Sequence, residues 1–270
     1  MHDALLAHGT TRRQQARWRG IGLLARKLPD RLDGGVIERA RGILHSLARY
    51  ARRNPVTAVY LAILLILHFW LNVVLSSASA DRVEMAVSTN LDNLRHDPVG
   101  CLLGSALFFD GSVTHIATLS FDGTLITLVL GIGVVLAWLE RTYGGVRAYT
   151  VFATGHIGAT LIVSQVIRYA LARGWYAQDV RHAYDFGISY GAEAAMAAFA
   201  FSLRRFAAAA WVVFVIAWPL FGASQLTPIP DFTTCGHLIA AALGFILAAA
   251  GLTRGRIAWP SAVRALPIPT

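Results

Sequence analysis

Gly187-Ile188-Ser189-Tyr190-Gly191-Ala192-Glu193 opens a run of small and apolar residues that reads as a membrane span. Ser189 stands between two glycines, where one backbone can approach another closely. Glu193 follows four residues on, so a helix places it one turn from Ser189 on the same face. An ionisable group inside a span marks a functional site by default. About fifty residues downstream, Gly236-His237-Leu238-Ile239 starts a second apolar run with one ionisable residue near its beginning. A serine, a histidine and a carboxylate at similar depth are the parts of an acyl-transfer site. The alternative is that these polar side chains only tie helices together.

Working outward, the 270 residues are 56% hydrophobic and 14% charged, with mean hydropathy +0.53, too apolar for a water-soluble domain. The apolar residues gather into runs long enough to cross a bilayer, which predicts an all-α integral membrane protein. Two cysteines, Cys101 and Cys235, make no disulfide framework; one bridge or two small apolar residues are both open.

Residues 1–53 are basic and polar, and within them Val36 to Arg53 sets Ile37, Leu44, Leu47 and Tyr50 against arginines. That pattern predicts a helix lying on anionic headgroups. Nothing in the tail spells a nucleic-acid-binding module, so no nucleic-acid partner is expected. Spans are expected from Pro55 to Ser76, Thr124 to Leu139, Tyr149 to Ala172, Gly187 to Leu203, Phe206 to Phe221 and Thr234 to Leu252. Ala78-Ser79-Ala80 resembles a signal-peptidase site, but the preceding segments are too long for a signal peptide, so an uncleaved anchor is expected. Residues 77–98 read as a polar loop, and Val99 to Phe109 as a short segment in or dipping into the membrane. Nineteen of the twenty-four Lys and Arg fall on the N-terminal side of this arrangement. The positive-inside rule then places both termini in the cytoplasm, with Ser189 and His237 near the outer ends of their helices. The expected organisation is a cytoplasmic tail over 1–53, a six-helix membrane domain over 54–252 and a basic tail over 253–270.

Six spans with a serine opening the fourth and a histidine opening the sixth resemble the rhomboids, the family of intramembrane serine proteases. Three motifs carry the resemblance. The G-x-S-G nucleophile motif is similar to Gly187-Ile188-Ser189-Tyr190-Gly191, with Tyr190 where the second glycine belongs. His237 followed by Ala240 and Gly244 resembles the family's histidine and small-residue series. Leu139-Glu140, Gly144 and Arg147 match L-E-x-x-x-G-x-x-R with every spacing kept. The resemblance covers about residues 55–252. It implies a Ser189 nucleophile with His237 as its base, a transmembrane substrate or client, and no cofactor.

The departures are as informative. The family's H-x-x-x-N, which helps hold the oxyanion, falls here on Thr124 and Leu128. Thr124 retains a donor and Leu128 does not, which leaves the Ser189 N–H, Tyr190 or an outer-loop group to complete the hole. Glu193 occupies the place where rhomboids carry an aromatic against the histidine. It is either a third catalytic member that accepts from His237 or a protonated side chain bonded between helices. The second functional reading is an inactive rhomboid-like protein that binds client helices. A small transporter would need inverted repeats, and none is evident.

Asp185 is expected to cap the fourth helix. His182 and Tyr184 are candidates to line an access path, and His115, after Thr114, is a candidate oxyanion or substrate contact. His68, Asn72 and His156 are expected to bond across helices. A metal site would need three or four ligands to converge, and no H-E-x-x-H or comparable spacing supports one from His156, His237 and Glu193. The arginine- and alanine-rich composition fits a GC-rich bacterial genome and hence a plasma membrane.

Overall fold

The computed structural model describes residues 31–109, 123–223 and 227–255, and every regular element among them is helical. The chain divides after Tyr50 into two units. The first carries most of α1, Arg31–Arg53. This helix starts before the expected Val36, and Val36, Ile37, Ile43, Leu44 and Leu47 are exposed on it. Arg49, Arg52 and Arg53 fall on the opposite side by the 3.6-residue period.

The second unit begins with α2, Pro55–Phe69, continued by a π-type turn, Trp70–Val74. Pro55 suits a first helical position because its missing N–H would have no intrahelical partner. The next two N–H groups are satisfied from afar. Glu140 Oε1 accepts from Val56 N–H, and Oε2 accepts from Thr57 N–H and the Thr57 hydroxyl, at 2.9, 2.9 and 2.6 Å. A carboxylate at a helix N-terminus also meets the positive end of the helix dipole.

Residues 77–98, expected as a loop, instead form α3, Ser77–Val87, and α4, Leu91–His96. The start of α4 rests on local capping that hydropathy does not register: Asn90 accepts from Asp92 N–H and Asn93 N–H. The short apolar segment is α5, Pro98–Ser105, with Asp97 accepting from Gly100 N–H.

Helix α6 runs from Leu125 through a π-type stretch to Tyr143, and α7 is Gly145–Ala172 with a π-type turn at Thr154–Gly158. Gly144 between them has φ +92°, a left-handed conformation that favours glycine. Arg147 then donates to the carbonyls of Arg254 and Gly255, at 2.8 and 3.3 Å. The matched Glu140, Gly144 and Arg147 thus tie the start of α2, the α6–α7 turn and residues near the end of the last helix together.

Helices α8, Ile188–Phe199, α9, Arg205–Phe221, and α10, Phe232–Ala249, complete the unit. Among the described residues, four helices are long and apolar enough to cross a membrane: Pro55–Val74, Leu125–Tyr143, Gly145–Ala172 and Phe232–Ala249. Helix α9 has 17 residues and α8 only 12. Helix α8 sits at the core, with Tyr190 to Ala198 buried without exception. Its small side chains let three neighbours close in. A Cβ on Gly131 of α6 would meet Ala192, one on Gly155 of α7 would overlap Ala194, and one on Gly244 of α10 would overlap the Ala194 carbonyl. Gly191 is similarly filled by the Phe152 ring of α7.

Candidate active site

Ser189 is the second residue of α8, so its N–H belongs to the first turn and has no intrahelical acceptor. The chain reaches it through Gly187, where a Cβ would overlap the His156 ring and crowd the Thr160 hydroxyl. His156 donates from Nε2 to the Leu102 carbonyl at 2.8 Å, which fixes α7 to the segment holding α5. This cross-element bond agrees with the expectation for His156. His68 and Asn72 differ: Asn72 donates to the His68 carbonyl within their own helix at 2.9 Å, and the His68 ring stacks on Phe109.

His237 stands in the second turn of α10. Asp231 caps that helix, accepting from Thr234 N–H and the Thr234 hydroxyl at 3.0 and 2.9 Å. His237 Nδ1 lies 2.9 Å from the Thr233 carbonyl. A carbonyl only accepts, so Nδ1 carries the proton and a neutral ring presents Nε2 as the acceptor. That is the tautomer a general base needs.

Ser189 and His237 line one cavity of about 260 Å³, together with Thr124, Thr127, Asp185 and Trp218. No hydrogen bond joins Ser189 to His237 in this structure. Bonds of this kind are often long before substrate binds. Thr124 and Leu128, at the places of the family's oxyanion pair, both face the cavity. Thr127 and Trp218 went unrecognised in the sequence: a threonine or tryptophan in an apolar span carries no motif that distinguishes it.

Glu193 is buried to 2% exposure, and its Oε1 has no hydrogen-bond partner. The His237 ring proton, which a third catalytic member would accept, goes to Thr233, where a main-chain carbonyl one turn back on the same helix is already in place. The structure therefore does not join Glu193 to His237. The aromatic neighbour of the histidine is Tyr190, edge-on to it with ring centroids 5.1 Å apart. A Cβ on Gly236 would overlap that Tyr190 ring.

Asp185 does not cap α8; the position before the helix is Gly187, with no side-chain cap. Its carboxylate accepts from the Thr89 hydroxyl at 3.0 Å, and its N–H donates to the Ser88 hydroxyl at 2.9 Å. Burial pushes the Asp185 carboxyl up to about 6, against the opposing pull of the nearby Tyr190 hydroxyl and of the Thr89 hydroxyl bond. Tyr184 lines the cavity, whereas His182 turns away to Asp92. Thr114 and His115 lie outside the described residues. Among the described residues no three metal-ligating side chains converge, and Cys101 and Cys235 are free thiols.

A serine and a base-form histidine facing one cavity from neighbouring helices is the arrangement the motifs implied. A family model described as rhomboid-like protein matches residues 49–259. The chain belongs to the rhomboid-like family. No curated protein and no solved structure matches it. The matched range holds all four span-length helices found among the described residues of this multi-pass rhomboid-like membrane protein, with Ser189, His237 and the Glu140 anchor inside it. Within the rhomboid-like frame, Thr233, Asp231 and Tyr190 emerge as the groups that set the histidine. Of these, only Asp231 had a legible signal, an acidic residue three positions before Thr234 at a helix start.

Proposed function

We propose that this rhomboid-like protein is an intramembrane serine protease that cleaves a peptide bond in or beside a substrate's transmembrane segment. The observation that carries the reading is the shared cavity, with Ser189 on one wall and His237 on another, its Nδ1 held by Thr233. In the proposed reaction the Ser189 hydroxyl attacks the scissile carbonyl carbon while His237 Nε2 takes its proton. The same proton then goes to the leaving amine. Water next attacks the acyl-serine with His237 again as base, which releases the acid and restores the serine.

The Ser189 N–H and the Thr124 and Thr127 hydroxyls are the donors assigned to the oxyanion. Leu128 supplies none, and one missing donor costs about two to three orders of magnitude in rate. Slow turnover is therefore expected. The proposal assigns six spans, with α8 and α9 as the fourth and fifth, and both termini to the cytoplasm. It places the protein in a bacterial plasma membrane, with the basic N-terminal tail against anionic headgroups.

The test is labelling of membranes with a serine-reactive fluorophosphonate. Wild type is expected to label, Ser189→Ala and His237→Ala to stay dark, and Glu193→Gln to label within about twofold of wild type. Darkness in all four, in a preparation where an active rhomboid labels, would remove the protease. Two observations favour the second reading, an inactive client-binding protein: the apolar Leu128 at a donor position, and the unjoined Ser189 and His237. In that case client helices co-purify while no label appears.

A further inference from the structure

A second cavity, of about 370 Å³, lies apart from Ser189 and is lined by Leu91, Asp92, Arg95, Arg168 and Arg181. Three guanidinium groups face it against one carboxylate. Asp92 is already engaged, with His182 Nδ1 at 3.0 Å and Arg181 at 3.7 Å. Among the described residues neither Arg95 nor Arg168 has an ion-pair partner. Like charges facing one small space repel unless an anion joins them. Guanidinium forks match phosphate oxygens in geometry as well as charge.

The depth of the cavity narrows the source of that phosphate. Arg168 sits on the last turns of α7, a helix long and apolar enough to span a membrane. The same turns carry Tyr169, 51% exposed, with Trp175 edge-on to it and Arg173 over its ring at 5.1 Å. Exposed aromatics paired with arginines at the end of a span mark headgroup level. Beneath the arginines, Leu91, Ile167, Leu171 and Tyr176 pack into an apolar cluster.

We propose that this pocket is a phosphate site, filled by the headgroup of an anionic phospholipid in the leaflet on that side. A phosphate held by Arg95, Arg168 and Arg181 ties α4, the end of α7 and the turn Gln178–His182 to one another. The first and last of these flank the Thr89–Asp185 bonds that fasten the chain leading into Ser189.

The test uses the full chain purified in a mild detergent and native mass spectrometry with dioleoyl phosphatidylglycerol, dioleoyl phosphatidylcholine and inorganic phosphate as probes. Wild type is expected to retain one phosphatidylglycerol in preference to phosphatidylcholine. Arg95→Gln with Arg168→Gln is expected to weaken that retention about tenfold, the effect of losing charge-assisted bonds. Displacement of the lipid by millimolar inorganic phosphate would identify free phosphate as the ligand of the same site; resistance to displacement would identify the lipid. Equal retention of both lipids by wild type would overturn the proposal, as would a double variant that holds phosphatidylglycerol as well as wild type. So would loss of the lipid on Arg39→Gln with Arg41→Gln, which would place it on α1 instead.

Discussion

Asp185 shows how a single buried carboxyl can connect two distant loops. Its proton affinity is raised, to about 6 from an ordinary 3.8, chiefly by burial. The folded state thus holds the proton at pH values where the unfolded chain has released it. The sign follows: this residue's contribution to stability is complete below about pH 4 and declines as pH rises through about 6, by up to about 3 kcal/mol. Asp185→Asn keeps an oxygen for the Thr89 hydroxyl and removes the titration. Thermal unfolding of wild type between pH 4 and 7 is expected to show this decline, and the Asn variant a flatter profile. Identical profiles would mean that Asp185 is as solvated as a free carboxylate.

Helix ends govern the arrangement at the next scale up. Asp231 sets the start of α10 and so the turn that bears His237, while Glu140 sets the start of α2 from 84 residues away. Glu140 was legible as a motif position, but its partners were not, because a capping bond between segments so far apart has no local sequence signature. Glu140→Ala leaves the Val56 N–H, the Thr57 N–H and the Thr57 hydroxyl without their acceptor. Unsatisfied buried donors of this kind cost about 1–3 kcal/mol each, and a total loss of about 3 kcal/mol is expected. Chemical or thermal unfolding in detergent measures it; a loss below about 0.5 kcal/mol, the range of ordinary surface substitutions, would show that water replaces the carboxylate.

Across the whole molecule, the distribution of basic residues predicts an orientation that can be tested. A cysteine at exposed Arg173, after α7, and another at exposed Arg204, before α9, fall on opposite sides if six spans are present. In protein whose Cys101 and Cys235 are replaced by alanine, a membrane-impermeant maleimide added to intact cells is expected to label Arg173→Cys and spare Arg204→Cys. The reverse pattern would invert the topology, and labelling of both would remove a span between them.

The helical membrane class, the places of the longest spans and the pairing of Ser189 with His237 as candidates were all legible along the chain. Hydropathy is a local property of twenty-residue windows, and the three motifs keep their spacing along the chain. It took the packed fold to reveal that α3 and α4 are helices, that Tyr190 rather than Glu193 meets the histidine, and that Thr233 takes its proton. Those outcomes depend on which acceptor or ring lies nearest in space once α8 is enclosed by α6, α7 and α10. Such proximity is set by the packing of glycines against alanines from separate spans, and no window of sequence contains it.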